Sequence, residues 1–174
     1  MRTVITAVIA GLIAFLAKLW HDLRLEHQAR KALAAALSGE LGAYLRLLQP
    51  ERTMENIKLL TAAPYDKRIA ALRGAFNLPS GHPVFDRVAD KIGTLSTEAA
   101  RGVSEAYNIV TGGRLALMAL SSDVFLQSSD EIQVIRIRVV ADMFIEQIDG
   151  VRQTIAMLDR LSRQTLFCYL TGGE

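Results

Sequence analysis

An all-α fold is predicted by three observations. A long uncharged apolar segment opens the chain, apolar residues recur at steps of three and four through the rest, and turn residues fall between those runs. The opening segment reads TVITAVIAGLIAFLAKLW, from Thr3 to Trp20, and carries no charge before Lys18. As a helix it spans roughly 27 Å, close to the ~30 Å of a bilayer's hydrocarbon core. Its strongly apolar residues (Val4, Ile5, Val8, Ile9, Leu12, Ile13, Phe15, Leu16, Leu19) favour insertion by about 3–5 kcal/mol together. Lys18 stands at the end, where its stem reaches the headgroups, and Trp20 takes an interfacial position. Residues 1–20 therefore read as a transmembrane anchor. Two alternatives stay open: a cleaved signal peptide, for which Arg2 is a weak basic start and Phe15/Ala17 or Leu12/Ala14 are poor cleavage patterns, and a buried core helix.

The helical pattern continues beyond Trp20. Leu33, Leu37, Leu41, Tyr44 and Leu48 share one helix face, and Pro50 ends the run or starts the next helix, so residues 21–49 are expected as a juxtamembrane helix, kinked near Gly39 or Gly42. Residues 50–174 then form a small helical bundle. Short helices are expected over Glu51–Ala62 and Asp66–Phe76, followed by a turn cluster, Asn77 to Pro83. Pro83 suits a first helical position and Gly93 a left-handed cap. Ser96 is the expected N-cap of a helix carrying Ala99, Val103, Ala106, Tyr107 and Val110, which Gly112-Gly113 interrupts before Leu115–Leu126. Ser128-Ser129-Asp130-Glu131 has the form of a capping box and opens a long last helix that reaches Leu170. Ile135 to Val139 alternates like a strand. The three- and four-residue steps from Ile137 to Leu158 outweigh it.

With 51% apolar and 22% charged residues, the 174-residue chain has ample material for a core and is not disordered. The net charge of +2 conceals a basic surplus at the start: residues 1–50 hold six Lys/Arg against three Asp/Glu. That surplus suggests a lipid bilayer as partner through residues 3–20, with anionic headgroups near Lys18, Arg24, Arg30 and Lys31. By the same charges the carboxyl-terminal part faces the cytoplasm. The remainder is charge-balanced and gives nucleic-acid binding no support.

Ala32-Leu33 through Gly39-Glu40-Leu41, then Pro83-Val84-Phe85 through Lys91-Ile92-Gly93-Thr94-Leu95, then Tyr107, form a pattern. It resembles a group of small single-span bacterial membrane proteins with a helical soluble domain. The resemblance implies a bacterial inner-membrane location and brings no catalytic residues or cofactors with it.

Catalytic and metal chemistry finds little footing. Cys168, the only cysteine, excludes an intrachain disulfide and lies in the apolar run Leu166–Leu170, where a small buried hydrophobe is expected. His21 and His27 fall on different helix faces, and His82 sits in the proline-flanked loop, where an exposed loop histidine is expected and a ligand-binding one is the alternative. Asp142, Glu146 and Asp149 align on one face, but interleaved Arg138 and Arg152 mark it as solvated rather than metal-binding. Tyr107 is expected in the core with its hydroxyl on a polar partner. No catalytic, cofactor or metal residue is assigned. The reading is a non-enzymatic, membrane-anchored helical protein that contacts other proteins as a scaffold or subunit, the partner being another protein or further copies in a homo-oligomer. The alternatives are a periplasm-facing envelope component of lysis or secretion, or a ligand-binding domain using the His82 loop.

Overall fold

A computed structural model describes the backbone of residues 2–48, 50–74 and 81–171, and side chains from residue 9 onward except 48–54, 57, 72–80 and 171–174. Within them the fold is all-α. A first helix, α1 (Arg2–Leu48), is followed by α2 (Pro50–Ala62) and α3 (Tyr65–Gly74). Next come α4 (Pro83–Val88) with a 3-10 extension (Ala89–Thr94), α5 (Thr97–Leu120) and α6 (Asp123–Leu126). The chain closes with α7 (Asp130–Arg163) and α8 (Leu166–Thr171).

Three long helices make the body. α7 lies between α1 and α5 and packs extensively against both. Ser38 of α1 donates to Asp159 of α7 at 2.5 Å, while His27 meets the Gln164 carbonyl just past α7. Falling numbers on α1 thus meet rising numbers on α7, and the two run antiparallel. The core joins Leu33, Leu37 and Leu41 of α1 to Val103, Tyr107 and Val110 of α5 and Val151 and Leu158 of α7. A smaller cluster (Leu120, Phe125, Leu126, Ile137) takes Leu60 and Ile69 from the α2–α3 hairpin.

Arg68 fastens that hairpin. Its guanidinium, 2% exposed, donates to the carbonyls of Leu60 and Ala63 at the end of α2 and to Asp130 at the start of α7. A buried cation is tolerated here because the open carbonyls of a helix end surround it.

Several expectations are revised. The membrane span is the largest: among the described residues no helix is long and apolar enough to cross a membrane. The side chains of Thr3–Val8 lie outside the described residues. Within the described side chains the uncharged stretch gives way at Lys18, and Asp22, Arg24 and Glu26 follow. The bilayer location and the inside–outside orientation built on that span fall with it. Arg30, assigned to headgroups, is instead held in the body, where it donates to the Thr94 carbonyl and lies over the Tyr169 ring.

Smaller corrections have local causes. α1 runs unbroken through Gly39 and Gly42, and α5 through Gly112-Gly113. Gly113 is a packing site rather than a break: a Cβ there would lie 2.5 Å from the Phe144 ring, so its absence lets α5 and α7 approach. The last helix stops at Arg163 and resumes at Leu166 because Gln164 turns extended at the cap. The capping box does not form. Ser129, not Ser128, is the N-cap and its side chain makes no cap bond; Ser128 donates to the Phe125 carbonyl and Asp130 is taken by Arg68. Gly93 sits inside the 3-10 segment, whereas the left-handed glycine is Gly81, at φ +89. Of the turn cluster, Asn77–Ser80 lie outside the described residues.

Gly113→Ala is expected to destabilise the fold by about 1–3 kcal/mol through overpacking against Phe144. Phe144→Leu in the same chain is expected to recover part of that loss, a non-additivity read from paired chemical-denaturation curves.

Candidate functional site

Two features outside the ordinary core draw attention: a polar knot beneath the His82 loop, and the amino-terminal half of α1.

The knot is built on Glu40. α4 starts at Pro83 without a side-chain cap of its own, leaving its first amides open. Glu40 reaches across from α1, and its two carboxylate oxygens accept from the amides of Val84 at 2.9 Å and Phe85 at 3.0 Å. A negative charge at a helix start also meets the favourable end of the helix dipole. Tyr107 of α5 donates its hydroxyl to the same carboxylate at 2.5 Å, so one side chain fastens three helices. Burial, then the hydrogen bond to Glu40 and its charge, push the Tyr107 phenol far above its ordinary range. Burial and the Glu40 charge raise Tyr44 as well.

His82 closes the knot. Its Nδ1 is 3.1 Å from the Tyr44 hydroxyl and its Nε2 2.8 Å from Thr111 Oγ1. Tyr44 donates its proton to the Gly81 carbonyl at 2.7 Å, so at the ring it accepts. A hydroxyl that accepts there pairs with a hydrogen on Nδ1, and Thr111 Oγ1 occupies the Nε2 side. The imidazole also stands edge-on to Tyr44, Phe85 and Tyr107, with the Phe85 and Tyr107 rings 4.1 Å apart. A histidine so occupied positions α4, with both ring nitrogens in hydrogen bonds. Glu40 likewise holds two amides and a phenol. The knot is a fastening.

A second histidine, passed over in the sequence, marks where the body ends. His27 is buried, its Nε2 3.1 Å from the Gln164 carbonyl, and its ring lies 5.1 Å from that of Tyr169. α8 folds over α1 here. Toward the amino terminus every described residue from Ile9 to Asp22 is exposed, about 21 Å of helix with nothing against it. Ile9, Leu12, Ile13, Phe15, Leu16, Leu19 and Trp20 each expose about half of their surface, with Ile13 and Phe15 at 62%.

These side chains are not spread evenly. At 100° per residue they fill one face of α1, while Ala10, Gly11, Ala14, Ala17, Lys18 and His21 fill the other. Continued along the helix, the large face passes through Leu23 and His27 and becomes the buried stripe of Ala34, Leu37 and Leu41. The face that α7 covers in the body simply runs on, uncovered.

The remaining sequence candidates stay dispersed. Asp142, Glu146 and Asp149 are exposed, and Asp149 pairs with Arg152 at 3.1 Å. Among the described residues no cluster of histidine, cysteine and carboxylate groups is suited to a metal ion. Cys168 is half-buried, not core, and its neighbour Phe167 is 74% exposed, because α8 is a short surface helix and not the end of α7. Two open clefts lie elsewhere: about 370 Å³ beside Ser96, Glu98, Arg160 and Gln164, and about 340 Å³ beside Leu59, Leu60 and Lys67.

Glu40→Gln is expected to cost about 1–3 kcal/mol of stability, since it leaves one oxygen for three donors. The tyrosines give a pH signature. A phenol whose folded pKa exceeds its unfolded value, near 10, contributes stability that is complete below pH ~10 and falls as the pH climbs toward the folded value. Unfolding midpoints measured at pH 9 and above 10 should therefore drop in the native chain and drop less in Tyr107→Phe.

Comparison with protein-family models, curated proteins and solved structures finds no match for this chain, so the reading of its function rests on the geometry of α1.

Proposed function

We propose that the chain is a non-enzymatic assembly subunit, a rigid helical body whose projecting α1 segment docks against a protein helix. One observation carries this reading: the apolar face of α1 continues in register past the end of α7 with nothing covering it. Seven half-exposed large side chains amount to on the order of 600 Å² of contiguous apolar surface, at the upper limit of what a free-standing globular protein exposes. A helix with a large apolar face and an alanine-rich opposite face is suited to burial on one side. The Glu40 knot supports the same role, because it holds the body stiff around the helix that makes the contact.

A photoreactive residue in place of Phe15, in the cell that produces the protein, is expected to form adducts with protein. The adducts should disappear when Leu12, Leu16 and Leu19 are all changed to Gln. Far-UV circular dichroism and thermal unfolding of the body should stay within error of the native chain, since these side chains touch nothing in it. Photolysis that yields no protein adduct at all would overturn the reading.

A further inference from the structure

The shape of the uncovered face says what fits it. Resting on the docking role just given, we propose that its occupant is the same face of a second copy, packed antiparallel to form a two-fold dimer. The covered part of α1 ends at His27, where Gln164 and Tyr169 close the body, and the bare face extends from there toward the amino terminus.

A parallel pairing of this face is obstructed. α7 and α8 lie on the same side of α1 as the bare stripe, so two copies aligned in parallel bring those helices into collision at the necks. An antiparallel pairing places each free helix in the gap beyond the partner's α7, where it takes up the axis that α7 leaves. The gap and the segment that fills it then have equal length, because both are the same stretch of chain.

Centring the pair between Ala14 and Phe15 sets Ile9 of one copy opposite Trp20 of the other, and Ile13 opposite Leu16. Lys18, Gly11 and the alanines stay on the outer face. The charged residues Asp22, Arg24 and Glu26 of each copy lie outside the Ile9–Trp20 pairing. The paired faces remove on the order of 1,200 Å² from water, at the lower edge of what stable dimers bury. Isologous contact of this kind is the commonest symmetry of soluble oligomers.

The test uses the purified full chain in aqueous buffer. Light scattering after size exclusion is expected to give twice the 19.1 kDa chain mass. Leu12→Gln with Leu16→Gln and Leu19→Gln should raise the dissociation constant by about a hundredfold or more, with the circular dichroism of the body unchanged. Orientation is read with cysteines in a Cys168→Ser background. Chains carrying Ile9→Cys should form a disulfide with chains carrying Trp20→Cys, and should not form one among themselves. An Ile9→Cys chain that crosslinks to itself overturns the antiparallel arrangement. A chain of single mass overturns self-pairing altogether, as does one that floats with phosphatidylcholine–phosphatidylglycerol vesicles while remaining monomeric. If photolysis at position 15 still captures a different protein while the purified chain is a monomer, docking stands and self-pairing fails.

Discussion

The body depends on one face of one helix. α1 contributes Leu33, Ala34, Leu37 and Leu41 to a core that, among the described residues, is built by helices alone. Helices of this kind hold a unique arrangement through the stripe they bury, since intrinsic propensity alone supports only a few tenths of a kcal/mol per residue. α7 lies antiparallel along that stripe and α5 completes the layer behind it. The close approach of α5 to α7 in turn requires a residue without a side chain at Gly113, so a feature that looks like a break is a condition of the packing.

Around this core, polar groups do the orienting. Glu40 stands one turn from Leu37 on α1 and at the edge of the buried stripe, close enough to be partly dry and far enough out to reach the start of α4. A carboxylate with three donors exchanges water for protein partners without leaving an open valence, so it specifies where α4 sits at little net cost. Arg68 does the mirror-image task at the other end of the body, offering donors to the open carbonyls of α2. Acid at a helix start and base at a helix end are the expected signs. Here both are supplied from a neighbouring helix, a long-range form of capping.

That long range explains what could and could not be read in the sequence. The helical class, the extent of α2, the start of α5 at its Ser96 cap and Pro83 at the first position of α4 all follow from neighbours within four residues, and those expectations agree with the structure. The Glu40–Val84 and Arg68–Asp130 contacts join residues tens of positions apart, and no local spacing announces them. His82 was conspicuous as a lone loop histidine. Its ring contacts with Tyr44, Phe85 and Tyr107 become visible only once α1, α4 and α5 converge. The misreading of the opening segment has a different origin. Summing the strongly apolar residues of the segment does not register that from Ile9 to Trp20 the large side chains keep to one face of α1 and the small ones to the other.

A stripe that serves the core in one half of a helix and faces water in the other is costly in isolation. Each half-exposed leucine or isoleucine forgoes on the order of 1 kcal/mol that burial would supply, and the isolated helical turns lack the tertiary packing that normally holds a helix of this length. Both penalties vanish together if a partner helix covers the face, because the same contact that removes apolar surface also holds the helix. The body contributes to that contact by being rigid: α8, His27 and Arg30 clamp α1 at its neck, so the free segment is aimed before it meets anything, and less freedom is lost on docking. Preorganisation at the neck and exposure beyond it are two halves of one arrangement, and both support the proposed docking through α1.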